Sequence, residues 1–439
     1  MLEVSFNSIL TTAWQIIKNW WWLPLSFILW KPFIYHFLFW RNQDWLRRQK
    51  KILLEVKIPR EVPKPIRAME TVIASIHGAV YHPPDWWEKW VDGQFQLSVN
   101  LEIASIDGKT HFFVRVGSAY RESVESALYS QFPDIEIVEA DDYTKYVPYN
   151  IPNKEWDLWA TDYRMAKDDH HPIKTYTEFE TEHEVKEEKR IDPVAALLEA
   201  MAKIKTGEQF WIQISIVPVA IDPEATPNAI AWMTEGEKLR DKLARRTEKT
   251  AEQKPIIQEA AEILITGKQE EPKEEEREII PPEMKLTPGE REIIAALEKK
   301  ISKPLFEATI RFIYLGKRDV WFKPNFRLGF SFFNSYMTLN RNGLLAYGPT
   351  LTKIHKSWFL PLNSVRPRRH YLRCRKIFRN YIRRFPSFFP LNPRNTKFIL
   401  NTEEVASLFH FPTEAAAPAP GAPRVEAKKR GEPSELPVE

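Results

Sequence analysis

The sequence predicts an α+β protein in which an N-terminal transmembrane helix precedes two βαββαβ sandwiches, the second carrying a long charged insertion. Three observations lead to this prediction. Residues 20–40 form an aromatic and apolar run. Residues 50–142 show strand and helix patterns in the order βαββαβ. A second copy of that order can be traced from residue 156 onward, interrupted by a segment rich in Glu, Lys and Pro.

Residues 1–48 are predicted to be a membrane anchor. Sixteen of the 21 residues at positions 20–40 are apolar, and a helix of that length spans about 31 Å, the thickness of the hydrocarbon layer. Trp20 and Trp40 at its ends resemble interfacial aromatic residues. Lys31 opposes the prediction, since a charge near mid-span costs roughly 2.5–3.5 kcal/mol. The alternatives are a helix lying in the membrane interface and a signal peptide, which is disfavoured because no small-residue cleavage site follows.

Flanking charges and cysteine usage predict the location of the chain. Basic residues from Arg41 to Lys51 follow the apolar run, so the positive-inside rule places residues 41–439 in the cytoplasm. The single cysteine, Cys374, excludes a disulfide scaffold and fits a reducing compartment. A mean hydropathy of −0.42 excludes a polytopic membrane protein. The expected location is the cell membrane, crossed once, with the bulk of the chain cytoplasmic.

Residues 49–150 are predicted to form the first sandwich, of the ferredoxin-like kind. Its central signal is a hairpin, in which Asp107-Gly108 supplies a two-residue turn between alternating apolar runs. Pro65 opens a helix that ends near Gly78, and Ser118 caps a second helix. The strands of this domain are expected at 52–58, 95–103, 111–116 and 134–139.

Residues 151–412 are predicted to form the second sandwich, with a charged insertion at 220–303. Asp192-Pro193 is a cap signal for a helix, and Thr287 begins a capping box with Glu290. The acidic run at 268–278 cannot bury a core and should be solvated. The Pro/Ala/Glu tail at 413–439 is expected to be disordered. The strands of this domain are expected at 156–165, 174–179, 209–219, 306–315 and 398–400.

Sequence signatures of catalysis, cofactor binding and metal binding are missing. No phosphate-binding loop, dinucleotide fingerprint, zinc-protease motif or nucleophile elbow occurs. Residues 168–171 (DDHH) form an acidic–histidine cluster, and a solvated loop is the simpler interpretation. His370 and Cys374 stand four residues apart, but the cations around them oppose a divalent metal. The sequence therefore predicts neither an enzyme, a cofactor nor a metal site.

The strongest functional signal is a basic and aromatic segment at 355–397. It holds 12 Lys or Arg residues and no Asp or Glu, within a stretch from 301 to 412 that has 20 basic and 4 acidic residues. Aromatic residues such as Trp358 and Tyr371 are interleaved with the cations. The candidate polyanion-binding residues are Arg366, Arg368, Arg369, Arg373, Arg375, Lys376, Arg379, Arg383 and Arg384.

Three partners suit this segment. Nucleic acid attracts Lys and Arg by counterion release, and aromatic rings can stack on bases. An anionic membrane leaflet attracts the same cations at about 1 kcal/mol each. The third possibility is an acidic protein surface, either a partner or the chain's own 268–278 run.

Several phrases of the sequence resemble a known family. They stand at 56–78, 131–137, 173–179, 207–219 and 401–412, and the similarity extends over the chain in family order. They resemble the region before the motor in type IV secretion or conjugation coupling-type ATPases of the HerA–FtsK superfamily, in the form associated with candidate-phyla-radiation bacteria. The resemblance implies membrane location and assembly, including a possible homo-oligomer. It does not imply ATP hydrolysis, because no Walker-A motif is present.

The leading functional hypothesis is a non-enzymatic, membrane-anchored scaffold or accessory subunit of a DNA-translocation machine, working beside a separately encoded HerA–FtsK-type ATPase. The alternative is a membrane-tethered adaptor that binds nucleic acid through 355–397. An enzyme of unrecognised type is disfavoured, because no acid, base and nucleophile converge in the sequence.

Overall fold

The computed structural model divides the chain into two compact units. The smaller unit comprises Met1–Lys51 and His82–Leu97, and the larger comprises Ile52–Tyr81 and Ser98–Glu439. The structure describes residues 22–59, 64–179, 192–219, 227–245, 286–356, 361–384 and 396–412, with positions 14, 15, 18, 19, 358, 424 and 425.

The smaller unit is built on one long helix, α1 (Trp22–Arg48). The C-terminal part of α1 packs on the second segment of the unit, where the ring of Trp45 lies edge-on to Phe95 at 5.3 Å. Gly93 fits this contact because its φ is +73° and a Cβ atom there would lie 2.6 Å from the backbone of Arg41. Farther toward the N-terminus the apolar side chains of α1 are exposed, for example Phe27 at 74%.

The predicted transmembrane helix is wrong. Within the part of the chain that the structure describes, no helix is both long and apolar enough to cross a membrane. The physical reason lies in the composition of α1, since Lys31, Pro32 and His36 interrupt it and much of its apolar character comes from amphipathic Trp and Tyr rings. The single-pass membrane location, which depended on this helix, falls with it. Trp20 and Trp21 lie outside the described residues.

The larger unit contains a single sheet, to which ten strands belong among the described residues. Along the sheet the order is β4-β1-β3-β2-β6-β7-β5-β8, and β9 and β10 pair with β7 and β1. The strands are β1 (Lys51–Pro59), β2 (Val99–Ile106), β3 (Lys109–Gly117), β4 (Glu136–Glu139), β5 (Trp156–Met165), β6 (Glu208–Pro218), β7 (Leu305–Lys317), β8 (Leu344–Ala346), β9 (Phe398–Asn401) and β10 (Arg424–Val425).

The sheet corrects the prediction of two separate sandwiches. Strands β2 and β6, which the sequence assigned to different domains, pair antiparallel from Val99–Ile216 to Ile106–Gln209. Both strands are buried along nearly their whole length, so each requires a neighbour at its edge and cover on both faces. Their pairing joins the two halves into one continuous sheet.

Helices cover both faces of this sheet. They are α2 (Ile66–Val80), α3 (Arg121–Gln131), α4 (Tyr176–Phe179), α5 (Pro193–Ala202), α6 (Pro227–Leu243), α7 (Pro288–Ile301), α8 (Arg327–Asn334), α9 (Pro361–Ser364), α10 (Arg366–Arg383) and α11 (Thr402–Leu408). One face packs into the larger apolar core, to which Val72, Leu128, Leu198, Phe333 and Leu408 belong. The opposite face carries α10, and we call it the α10 face.

Local sequence signals explain where several helices begin. Asp192 accepts backbone hydrogen bonds from Val194 and Ala195, with Pro193 in the first turn of α5. Thr287 and Glu290 form the predicted capping box of α7. The described ends of the predicted insertion are therefore ordered helices, whereas its acidic run at 268–278 and most of the tail at 413–439 lie outside the described residues.

Candidate polyanion-binding surface

Helix α10 is held on the sheet by an apolar stripe. Cys374, Ile377, Phe378 and Tyr381 are buried, and their spacing of three and four residues puts them on one side of the helix. They pack into the second apolar core, where the rings of Phe378 and Tyr381 lie 6.4 and 5.3 Å from that of Trp211 on β6. The basic side chains of α10 lie on the other sides of the helix.

The nine predicted cations occupy three different environments. Arg384 is buried. Arg366, Arg373, Arg375 and Lys376 are half-buried on the flanks of α10. The exposed group consists of Arg368, Arg369, Arg379 and Arg383, and we call these four the outer row.

The half-buried arginines contact their own surroundings. Arg366 Nε donates to the carbonyl oxygen of Ile354 at 2.9 Å, and Arg373 Nη1 donates to that of Leu351 at 2.7 Å. These bonds tie the preceding loop to α10. Arg375 Nη1 donates to the hydroxyl of Tyr371 at 2.6 Å, so the phenol and the guanidinium share the helix surface.

The side chains of the outer row make no hydrogen bond or ion pair with any residue that the structure describes. The sequence explains this, because it contains no Asp or Glu between Asp319 and Glu403. Arg368 and Arg383 lie 15 residues apart, which corresponds to about 22 Å along a helix. Burial, and to a smaller extent the charge of Arg379, lower the pKa of the half-buried Lys376 on the same helix.

Arg384 differs from the other eight because it is paired inside the protein. Its Nε donates to Glu102 Oε1 at 2.9 Å and its Nη2 donates to Glu102 Oε2 at 3.2 Å. Nη1 and Nη2 also donate to the two carboxylate oxygens of Asp142. The arginine adopts φ +53°, a left-handed conformation that ends the helix. We call this arrangement the Arg384 clasp.

Other buried side chains complete the clasp. The Tyr143 hydroxyl donates to Glu102 Oε2 at 2.7 Å and lies 2.7 Å from the Tyr381 hydroxyl. Gln213 Nε2 donates to Glu102 Oε1 at 2.8 Å. Burial alone would lower the pKa of Arg384, but the carboxylates of Glu102 and Asp142 raise it well above its ordinary value.

Sequence reasoning missed the acidic partners of Arg384. The prediction of an intramolecular partner named the run at 268–278, which lies outside the described residues, whereas Glu102 and Asp142 are distant in sequence and carry no local signal. The one signal available was an acidic residue at position 102 within an apolar strand, since a buried carboxylate requires a cation.

The Asp168–His170 turn is a structural junction rather than a solvated loop. Asp168, Asp169 and His170 place ligand atoms close enough together for a metal ion. However, His170 Nδ1 lies 2.5 Å from Asp168 Oδ1, and Nε2 lies 2.8 Å from the carbonyl oxygen of Trp232. Both ring nitrogens therefore face acceptors within the protein, which leaves neither for a metal. Burial opposes protonation of His170, but the hydrogen bond with Asp168 raises its pKa.

Cys374 and His370 show no features of a reactive pair. Cys374 is fully buried under α10, and burial raises the pKa of its thiol to about 12. Its Sγ atom lies 3.6 Å from His370 Nε2, and burial lowers the pKa of that imidazole. A thiolate is the reactive form of cysteine, so this thiol is inert at neutral pH.

A cavity of about 210 Å³ lies between α4, α7 and α11. The charged side chains that line it are already paired, as in the contacts of Lys299 with Glu403 and of Arg341 with Glu178 and Glu292. Because these charges are paired with one another, the cavity offers no free charge among its described residues, and the outer row of α10 remains the candidate polyanion-binding group. No known protein family matches the chain, and no curated protein is significantly similar to it in sequence.

Proposed function

We propose that this protein is a non-enzymatic, nucleic-acid-binding module that contacts the phosphodiester backbone through the outer row of α10. The observation that carries the proposal is the exposure of Arg368, Arg369, Arg379 and Arg383 on one fixed helix without a described acidic partner. A run of phosphates neutralises such a row and releases its condensed counterions, which favours binding.

Exposed aromatic rings favour nucleic acid over an acidic protein surface. Tyr371 is 41% exposed on α10 itself, and Trp358 is 94% exposed in the segment before it. Flat aromatic rings beside a cationic groove are the means by which single strands are held without sequence preference, each stacked base contributing about 1–3 kcal/mol. The combination supports single-stranded DNA or RNA as the ligand.

The membrane part of the leading hypothesis is not retained, since no described helix can span a bilayer. The accessory role beside a separately encoded HerA–FtsK-type ATPase stays a prediction of the sequence resemblance. Binding of α10 to the phosphodiester backbone of a nucleic acid is compatible with that role and does not require it.

The proposal predicts a strong salt dependence of binding. Each phosphate contact on a single strand changes the slope of log K against log salt concentration by about −0.7, so four contacts give about −2.8. Between 50 and 200 mM salt the affinity should then fall by about 50-fold. Uncharged or stacking-only binding would be nearly independent of salt.

The test is fluorescence anisotropy of a labelled single-stranded oligonucleotide with the full chain. Replacing all four outer-row arginines by Gln should weaken binding strongly and flatten the salt slope. The matched control replaces Lys64, Arg67, Lys203 and Lys238 by Gln, which removes the same charge from exposed positions outside α10 and outside the sheet. Equal loss in both variants would mean that only net charge matters, and unchanged binding in the outer-row variant would refute the proposal.

A further inference from the structure

Arg115 is a cation of the α10 face that belongs to the sheet and not to the helix. It stands on β3 two residues after Phe113, whose side chain packs in the core beneath α10. Alternation along a strand puts residues 113 and 115 on the same face. The Arg115 side chain is half-buried and makes no hydrogen bond or ion pair with any described residue.

The acidic groups near Arg115 are already occupied. Glu102 and Asp142 are the carboxylates beside it, and each accepts two hydrogen bonds from Arg384. Burial and the like charge of Arg384 lower the pKa of Arg115 despite those two carboxylates. Arg115 is therefore a partly desolvated guanidinium whose charge is not fully compensated, an unfavourable state that an anionic ligand would relieve.

A second polar group without a partner lies next to Arg115. Asn100 is its direct neighbour across the β2–β3 pair. The Asn100 side chain is 3% exposed, and its Oδ1 atom has no hydrogen-bond partner among the described residues. A carboxamide can turn either its N–H group or its oxygen toward a ligand, so it suits a group that both accepts and donates hydrogen bonds, such as a sugar–phosphate unit.

We propose that Arg115, with Asn100 beside it, is a recessed subsite for a phosphate group of the bound nucleic acid. This inference rests on the proposed function, because the same strand that contacts the outer row would continue past the C-terminal end of α10. The Arg384 clasp holds that end of the helix near Arg115, because Glu102 and Asp142 pair with Arg384 and also interact electrostatically with Arg115.

A ligand-binding cation and a structural cation respond differently to removal. A structural arginine that neutralises a carboxylate stabilises the fold, and its loss lowers the melting temperature. An arginine left uncompensated in the free protein does not stabilise the fold, and its removal leaves the melting temperature unchanged or raises it. Binding and stability should therefore change in opposite directions, or binding alone should change, when Arg115 is replaced.

The experiment compares Arg115→Gln with Arg67→Gln, an exposed arginine on α2, in the full chain. Anisotropy with the labelled oligonucleotide should show about a tenfold weaker affinity for Arg115→Gln, the scale of one lost charge-assisted contact. The salt slope should become shallower by about 0.7. Arg115→Lys should restore the slope while recovering only part of the affinity, because lysine keeps the charge without the planar fork. Arg67→Gln should leave both quantities unchanged.

Each result decides the inference. A lower melting temperature with an unchanged slope would assign Arg115 a structural role and overturn the subsite. Unchanged affinity in Arg115→Gln, together with loss in the outer-row variant, would overturn the subsite and leave the proposed function standing. Absence of binding by the unmodified protein at low salt would overturn both.

Discussion

Removing the buried guanidinium of Arg384 tests whether the clasp fixes α10 on the sheet. Arg384→Gln removes four charge-assisted hydrogen bonds to Glu102 and Asp142 at once. Glu102 is fully buried, so it keeps a desolvated charge whose remaining donors among the described residues are Tyr143 and Gln213. The free energy of unfolding should therefore fall.

The structure sets the magnitude of this loss. Breaking a buried ion pair by removing one partner costs about 3–5 kcal/mol. Asp142 is 19% exposed and keeps its hydrogen bonds from Thr144, so water and neighbours can compensate part of its charge. We therefore expect the lower end of the range, about 3 kcal/mol for Arg384→Gln.

The left-handed backbone of Arg384 allows a sharper comparison. An L-residue in that conformation costs about 1 kcal/mol, which glycine avoids. Arg384→Gly loses the same ion pairs as Arg384→Gln but relieves the backbone, so it should be about 1 kcal/mol more stable than Arg384→Gln. Arg383→Gln, at the exposed neighbouring position, should stay within about 0.5 kcal/mol of the unmodified protein.

Urea denaturation followed by tryptophan fluorescence measures these differences, since Trp211 contacts the ring of Tyr381 beside the clasp. Two results would refute the reasoning. One is a loss below about 1 kcal/mol for Arg384→Gln, which would mean that the clasp is not a stabilising network. The other is a glycine variant less stable than the glutamine variant, which would mean that the backbone of residue 384 is not strained.

Two further predictions concern buried charges elsewhere in the larger unit. Asp162 and Arg311 face each other across the β5–β7 strand pair, and Asp162 Oδ1 lies 3.0 Å from Arg311 Nε. Both Nη atoms of Arg311 lack hydrogen-bond partners among the described residues. Arg311→Met should lower the free energy of unfolding by about 3–5 kcal/mol, whereas the double variant Arg311→Met with Asp162→Leu should be nearly as stable as the unmodified protein in thermal unfolding. An equal loss of stability in the single and double variants would contradict this prediction. At the Asp168–His170 turn, the hydrogen bond with His170 lowers the pKa of Asp168 to about 2 from 3.8. The ionised Asp168 therefore contributes to the free energy of unfolding above about pH 4, and this contribution is lost as the pH falls toward 2. Asp168 is 61% exposed, so the contribution should be at most about 1 kcal/mol, and an Asp168→Asn variant with the same acid sensitivity as the unmodified protein would argue against it.

Local elements were predictable from the sequence because their causes are local. The Asp107-Gly108 hairpin, the Asp192 cap and the Thr287 capping box each depend on residues within three positions of one another. The pairing of β2 with β6 was not predictable in the same way. It joins residues more than 100 positions apart, and either strand alone shows only that it is buried on both faces.

The candidate site also has features with local causes, which the sequence predicts, and features that depend on long-range contacts, which it does not. The arginine-rich, acid-free composition of residues 355–397 is a local pattern, and it indicated the cationic segment from the sequence, but that residues 366–383 form a helix with a buried apolar stripe emerged only from the structure. The buried state of Arg384 and the isolation of Arg115 depend on contacts between α10, β2 and β3. The wrong prediction of a transmembrane helix at residues 20–40 had a different origin, because Trp and Tyr rings, which are amphipathic, were counted as fully apolar residues.

The sheet beneath α10 explains how so many like charges can stand on one ordered helix. Pairs such as Arg369–Arg373 and Arg379–Arg383 are four residues apart, and each like-charge pair of this kind destabilises a helix by about 0.2–0.5 kcal/mol. A segment with that sequence would not be a stable helix alone. Burial of Ile377, Phe378 and Tyr381 opposes the repulsion at about 1.5–3 kcal/mol for each large side chain, which is several times the repulsive term. The cations are therefore held in position before any ligand arrives, and a polyanion that binds them does not have to order the helix first.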